Sequence, residues 1–106
     1  MAEDGNWVTV ASASQLAPGE IKDAKVGEVE IAVYNVDGAF YATSNICTHA
    51  MAFLSDGWLD GDAVECPLHA GRFDVRTGKA LCPPVETDVK TYPVRVVGDD
   101  VQVRLG

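Results

Sequence analysis

Two short segments decide the chemistry of this chain and, with it, the fold: Cys47-Thr48-His49 and, after sixteen intervening residues, Cys66-Pro67-Leu68-His69. Each segment supplies one thiolate and one imidazole, which are ligands for transition metals in proteins. The chain has only two histidines, and both lie within three residues of a cysteine. Scattered core residues would rarely produce that pairing. The sequence therefore predicts a metal centre whose ligands are Cys47, His49, Cys66 and His69.

Two kinds of metal centre fit this ligand set. Zinc binds two cysteines and two histidines in a tetrahedron, but structural zinc sites usually place like ligands in pairs. Here each segment mixes the two types. Such mixing suits a two-iron centre, with one thiolate from each segment on one iron and one imidazole from each segment on the other. A structural zinc module remains the alternative.

Outside the two segments, the sequence alternates apolar and polar residues, which is typical of β-strands. Val29 to Tyr34 and Phe40 to Thr43 are predicted to form one hairpin, and Val94 to Val97 is predicted to pair with Val101 to Leu105 across Gly98-Asp99-Asp100. Frequent turn signals leave no room for a long helix. We therefore predict an all-β fold, an antiparallel β-sandwich or small barrel made from both chain ends. It forms one domain over residues 1–106, and a smaller subdomain is inserted over about residues 45–84.

Composition excludes several functions. The 106 residues are 47% hydrophobic, which is typical of one folded domain. Sixteen acidic residues against eight basic ones give a net charge of -8, so neither nucleic acid nor a membrane surface is an expected partner. The uncharged stretch from Gly38 to Ser55 contains polar residues and is not a transmembrane helix. Residues 1–5 lack the pattern of a secretory signal, and the expected location is the cytoplasm.

The remaining chemically distinctive residues are expected to be structural. Cys82 has no histidine near it and is predicted to be a buried structural cysteine. Trp58 is predicted to pack, and Arg72 and Asp74 are expected to form a surface ion pair.

Two surfaces near the segments have two interpretations each. The run Met51 to Leu54 is expected to be core, with the alternative that Met51, Pro67 and Leu68 form an apolar docking rim. No basic residue lies between Thr48 and Gly71, so the acids there form either a solvated face or a surface that steers basic partners. These acids are Asp56, Asp60, Asp62 and Glu65.

The two ligand segments, with Leu54-Ser55-Asp56-Gly57 and the run from Arg72 to Leu81, resemble Rieske proteins. The resemblance extends over nearly the whole chain and is closest to the stand-alone ferredoxins of bacterial aromatic-ring dioxygenase systems. It implies the Rieske fold and one [2Fe-2S] cluster. It also implies that Cys47 and Cys66 bind the inner iron, and that His49 and His69 bind the outer iron through Nδ1.

The same resemblance implies a one-electron carrier. Its expected partners are a flavoprotein NADH reductase, which reduces it, and a terminal Rieske oxygenase, which it reduces; a monomer is expected. Once both histidines are ligands, no mononuclear iron triad can be built, so the chain is not expected to be an enzyme. A small subunit or electron donor of another redox system, such as nitrite reductase, is the alternative. Respiratory Rieske proteins join the two ligand loops by a disulfide, whose places are taken here by Ala52 and Leu68.

Overall fold

The chain folds almost entirely into β-strands. A computed structural model describes residues 7–48, 52–68, 71–82 and 87–105. Within these ranges the only helices are two 3₁₀ helices of three residues, Ala13–Gln15 and Leu54–Asp56, and none is long and apolar enough to span a bilayer. In chain order, the strands are β1 (Trp7–Ser12), β2 (Ile21–Val26), β3 (Val29–Val36), β4 (Ala39–Ser44), β5 (Trp58–Asp60), β6 (Ala63–Glu65), β7 (Arg72–Asp74), β8 (Ala80–Cys82), β9 (Thr91–Tyr92), β10 (Val94–Val97) and β11 (Asp100–Arg104).

The strands form three antiparallel sheets. Their orders are β1-β11-β10, β2-β3-β4-β9 and β5-β6-β7-β8. The first two sheets come from the two ends of the chain, and the third comes from its middle. The all-β, antiparallel prediction is therefore confirmed.

Both predicted hairpins are present, and turn chemistry explains them. Strands β3 and β4 pair up to Val36 and Ala39, which leaves Asp37 and Gly38 as a two-residue turn. Both turn residues have positive φ, 52° and 94°, as a type I′ turn requires. Strands β10 and β11 pair up to Val97 and Asp100, which leaves Gly98 and Asp99 between the two strands.

Strand β3 is central because it is buried on both faces. Ile31 and Val33 belong to a core that the first two sheets share with residues such as Val101 and Val103. The alternate residue Tyr34 belongs to a second core, which lies against the third sheet. The second core contains Ala32, Tyr34, Cys47, Leu54, Val64, Cys66, Phe73, Val75 and Val89.

Candidate metal centre

Two loops carry the predicted ligands, and they close in the same way. Loop 47–52 follows β4, and the amide N–H of Cys47 donates to the carbonyl oxygen of Ala52 at 2.9 Å. Loop 66–71 connects β6 and β7, and the amide N–H of Cys66 donates to the carbonyl oxygen of Gly71 at 2.7 Å. In both loops, therefore, the backbone N–H of the cysteine is hydrogen-bonded to the carbonyl oxygen of the residue five positions later. Each loop also contains one of the two predicted histidine ligands in its sequence, His49 in the first loop and His69 in the second.

A buried side-chain amide supports loop 47–52. Asn45 is 1% exposed, and its Oδ1 accepts the amide N–H of Ser55 at 2.8 Å, while its Nδ2 donates to the Ser55 hydroxyl at 3.0 Å. The Asn45 carbonyl accepts the amide N–H of Leu54 at 2.7 Å. Ile46 and Phe53 form a β-bridge immediately outside the loop. The two ends of the loop are therefore tied through both backbone and side chain.

An ion pair supports loop 66–71. Glu65 and Arg72 are opposite each other in the last β6–β7 pair before the loop. The Arg72 guanidinium lies 3.2 Å from the Glu65 carboxylate and 3.2 Å from Asp60 on β5. Arg72 therefore links three strands beside the loop.

Cys47 and Cys66 meet in the second core. They are 4% and 1% exposed, form no disulfide and belong to the same cluster of buried side chains. Burial raises the pKa of the Cys66 thiol to about 11, and the neighbouring Cys47 adds to the rise, whereas a hydrogen bond from the Leu68 backbone opposes it. At neutral pH this thiol keeps its proton unless a cation replaces it.

These two thiols fit a metal cluster. A metal centre takes thiolates and releases their protons on binding, and its positive charge offsets the cost of a buried thiolate. His49 and His69 lie outside the described residues. The described part of the chain, which includes both cysteines and neither histidine, contains no group of three or more potential ligands. The structure thus brings together the thiol half of the predicted ligand set.

A close backbone approach joins the supports of the two loops. A Cβ atom on Gly57 would overlap the carbonyl oxygen of Glu65, the residue before Cys66. Gly57 immediately follows the 3₁₀ helix whose Ser55 binds Asn45. Only glycine allows these two segments to lie so near each other.

Three exposed apolar residues, which we call the apolar surface, lie in or beside the two loops. Phe53 is 43% exposed and Leu68 44% exposed, and Ile46 beside Cys47 is similarly exposed. Phe53, predicted to be core, is therefore a surface residue, whereas Leu54 is buried. Of the predicted docking rim, Leu68 is exposed, Pro67 is half-buried, and Met51 lies outside the described residues.

Three expectations need correction. Trp58 is 60% exposed on the edge strand β5 and does not fill the core. Arg72 pairs across strands with Glu65 and Asp60, whereas Asp74 pairs with Arg76 at 2.9 Å, which holds the pKa of Asp74 below its usual range. Cys82 is only partly buried, at the end of β8.

The fold and the two loops define a small all-β metalloprotein. A family model described as the Rieske [2Fe-2S] domain matches residues 6–93. The chain therefore belongs to the Rieske family. Of the two predicted metal centres, the family has the [2Fe-2S] cluster and not the zinc site.

Relatives place the chain among dioxygenase ferredoxins. It is 49% identical over 100 residues, 94% of this chain and 96% of the relative, to the ferredoxin component of naphthalene 1,2-dioxygenase/salicylate 5-hydroxylase systems from Ralstonia sp. It is 47% identical over 98 residues, 92% of this chain and 90% of the relative, to a biphenyl dioxygenase ferredoxin subunit from Pseudomonas sp. (strain KKS102). A solved complex of reduced oxygenase and oxidized ferredoxin in carbazole 1,9a-dioxygenase contains a chain similar to it, with a TM-score of 0.89, 42% identity and 93% coverage of both chains. This protein is thus the electron-transfer component of a multicomponent dioxygenase system and not its catalyst.

Proposed function

We propose that Cys47, His49, Cys66 and His69 hold the cluster, and that the chain carries single electrons from a flavoprotein NADH reductase to a terminal Rieske oxygenase. The observation that carries this proposal is the burial of two thiols in one core, at the bases of two loops that are closed by matching backbone hydrogen bonds. When bound, a [2Fe-2S] cluster accepts one electron and passes it on.

The chain's own residues prepare the thiol side of this site. The second core excludes water from Cys47 and Cys66, so charges there interact strongly. The backbone hydrogen bond from Leu68 to the Cys66 side chain favours the thiolate form. The amide-to-carbonyl bonds that close the loops fix the backbone of both cysteines.

Redox partners are proposed to dock on the apolar surface around the loops. Ile46, Phe53 and Leu68 are exposed there, close in the chain to the cysteines, and clustered exposed apolar groups are typical of an interaction site. The acidic run supports steering less well than its sequence suggests. Asp60 and Glu65 pair with Arg72, and Asp62 pairs with Arg76 at 3.2 Å.

The cytoplasm is the proposed location. Cys47 and Cys66 form no disulfide, which is the usual state of cysteines in a reducing compartment. We also propose that the chain works as a monomer, as a single domain over residues 1–106.

Replacement of single cysteines tests the ligand assignment. Cys66→Ser should abolish the visible absorption of the purified protein and its bound iron and acid-labile sulfide. Cys82→Ser is the matched control, because Cys82 ends β8 of the third sheet and lies outside both loops, and it should keep all three.

Two results would count against the proposal. Stoichiometric zinc without sulfide in the wild-type protein would refute the cluster. Bleaching by Cys82→Ser, with an intact spectrum in Cys66→Ser, would show that the ligands are assigned wrongly.

A further inference from the structure

Thr48 links loop 47–52 to a distant segment of the chain. Its hydroxyl donates to the carbonyl oxygen of Thr87 at 2.7 Å, across 39 positions of sequence. Thr48 lies between Cys47 and His49, two of the proposed ligands. This hydrogen bond therefore acts on the backbone that carries both of them.

Residues 87–89, which we call the strap, are themselves fixed. The amide N–H of Ala80 donates to the Asp88 carboxylate at 2.9 Å, and the amide N–H of Val89 donates to the carbonyl of Gly78 at 2.8 Å. Val89 is buried in the same core as the two thiols. Gly78 has φ of 80°, and a Cβ there would overlap the Val89 carbonyl oxygen, so this contact needs glycine.

The strap connects the two ligand loops. It is bonded to Gly78 and Ala80 in the β7–β8 hairpin, and β7 begins at Arg72, directly after loop 66–71. Thr48 bonds the same strap to loop 47–52. Ala52 and Leu68 cannot form the disulfide that joins these loops in respiratory Rieske proteins, and the strap supplies a hydrogen-bonded link instead.

We propose that Thr48 is a positioning residue, whose hydroxyl, through the strap, fixes loop 47–52 relative to loop 66–71 and so sets the geometry of the bound cluster. This inference rests on the proposed ligand assignment. The hydroxyl is the part of Thr48 that matters, because it alone makes the bond to Thr87.

The test compares Thr48→Val with Thr48→Ser in the cluster-loaded protein. Valine keeps the shape and removes the donor, so release of iron to a chelator should become about fivefold faster, the factor expected for one lost hydrogen bond. The g-values of the reduced protein in electron paramagnetic resonance should also shift. Serine keeps the donor and should restore both. Thr9→Val is the control, because it removes a threonine hydroxyl that accepts from Gln102 in the first sheet.

A second variant loosens the strap at its other end. Asp88→Ala removes the acceptor of the Ala80 amide and should change the iron release rate and the g-values in the same direction as Thr48→Val. Wild-type rates and g-values in Thr48→Val would overturn the proposal, as would equal changes in the valine and serine variants. A change in Thr48→Val without one in Asp88→Ala would also overturn it. Absence of iron and sulfide from the wild-type protein would instead refute the ligand assignment.

Discussion

Loop 47–52 and loop 66–71 are each closed by a hydrogen bond from the backbone N–H of their cysteine. The first loop is supported by a buried side-chain amide, whereas the second is supported by a half-exposed ion pair. Asn45, itself 1% exposed, satisfies two groups of the half-buried Ser55. The Arg72 guanidinium, by contrast, is 38% exposed where it meets Glu65. Removing a buried hydrogen-bonding partner costs the full desolvation of the groups left behind, whereas an exposed ion pair contributes little. The two loops should therefore differ strongly in how they tolerate mutation.

The largest effect is expected from Asn45→Ala. It leaves the Ser55 amide without its acceptor, and we expect a loss of about 1–3 kcal/mol in the free energy of unfolding. Urea titration measures this, and chelator-induced iron release should also become faster. Asn35→Ala is a matched control, since Asn35 is a buried amide that binds Leu16 and Gly38 far from the loops. It should lose comparable stability without faster iron release, and equal iron release from both variants would contradict the role assigned to Asn45.

An intermediate effect is expected from exposed apolar residues that lie in or beside the loops. Phe53→Ser and Leu68→Ser should each slow electron delivery roughly tenfold, which corresponds to about 1.4 kcal/mol of docking free energy. Stopped-flow measurement with the reductase and oxygenase of a naphthalene 1,2-dioxygenase system gives the rates. Val97→Ser, an exposed apolar residue of β10 in another sheet, is the control. A slower rate in only one variant would assign docking to one loop, and unchanged rates in both would refute docking on this surface.

The smallest effect is expected from Glu65→Gln. The pair with Arg72 is partly exposed, so its loss should lower the free energy of unfolding by less than about 1 kcal/mol. The difference from wild type should shrink further in about 1 M NaCl, where charges are screened within about 3 Å. Asp62→Asn, which breaks the ion pair between Asp62 and Arg76, should have a similarly small effect on the free energy of unfolding. A cost above that of Asn45→Ala would reverse the ranking of the two supports.

The parts of the fold that depend on neighbours in sequence were predictable. Strands β3 and β4 are long enough for their alternation to be seen, and Asp37-Gly38 marks the turn between them. Strands β5 to β8 have three residues each, too few for a period of two to stand out. The third sheet was therefore missed.

The parts of the site that depend on distant contacts were not predictable. The spacing of the cysteines and histidines indicated a metal centre, and the structure brings Cys47 and Cys66 together. The partner of Arg72 was predicted wrongly because cross-strand register, not sequence distance, places Glu65 opposite it. The bond from Thr48 to Thr87 joins residues with no shared pattern, so only the folded chain shows it.

The near-complete burial of Cys47 and Cys66 also has a consequence for how the protein acquires its cluster. A donor that delivers iron and sulfide must reach both thiols, and in the closed form Cys66 is 1% exposed. Delivery therefore requires loops that are still open, before the bonds from Cys47 to Ala52 and from Cys66 to Gly71 have formed. On this basis cluster insertion is a step of folding and not an addition to a finished protein.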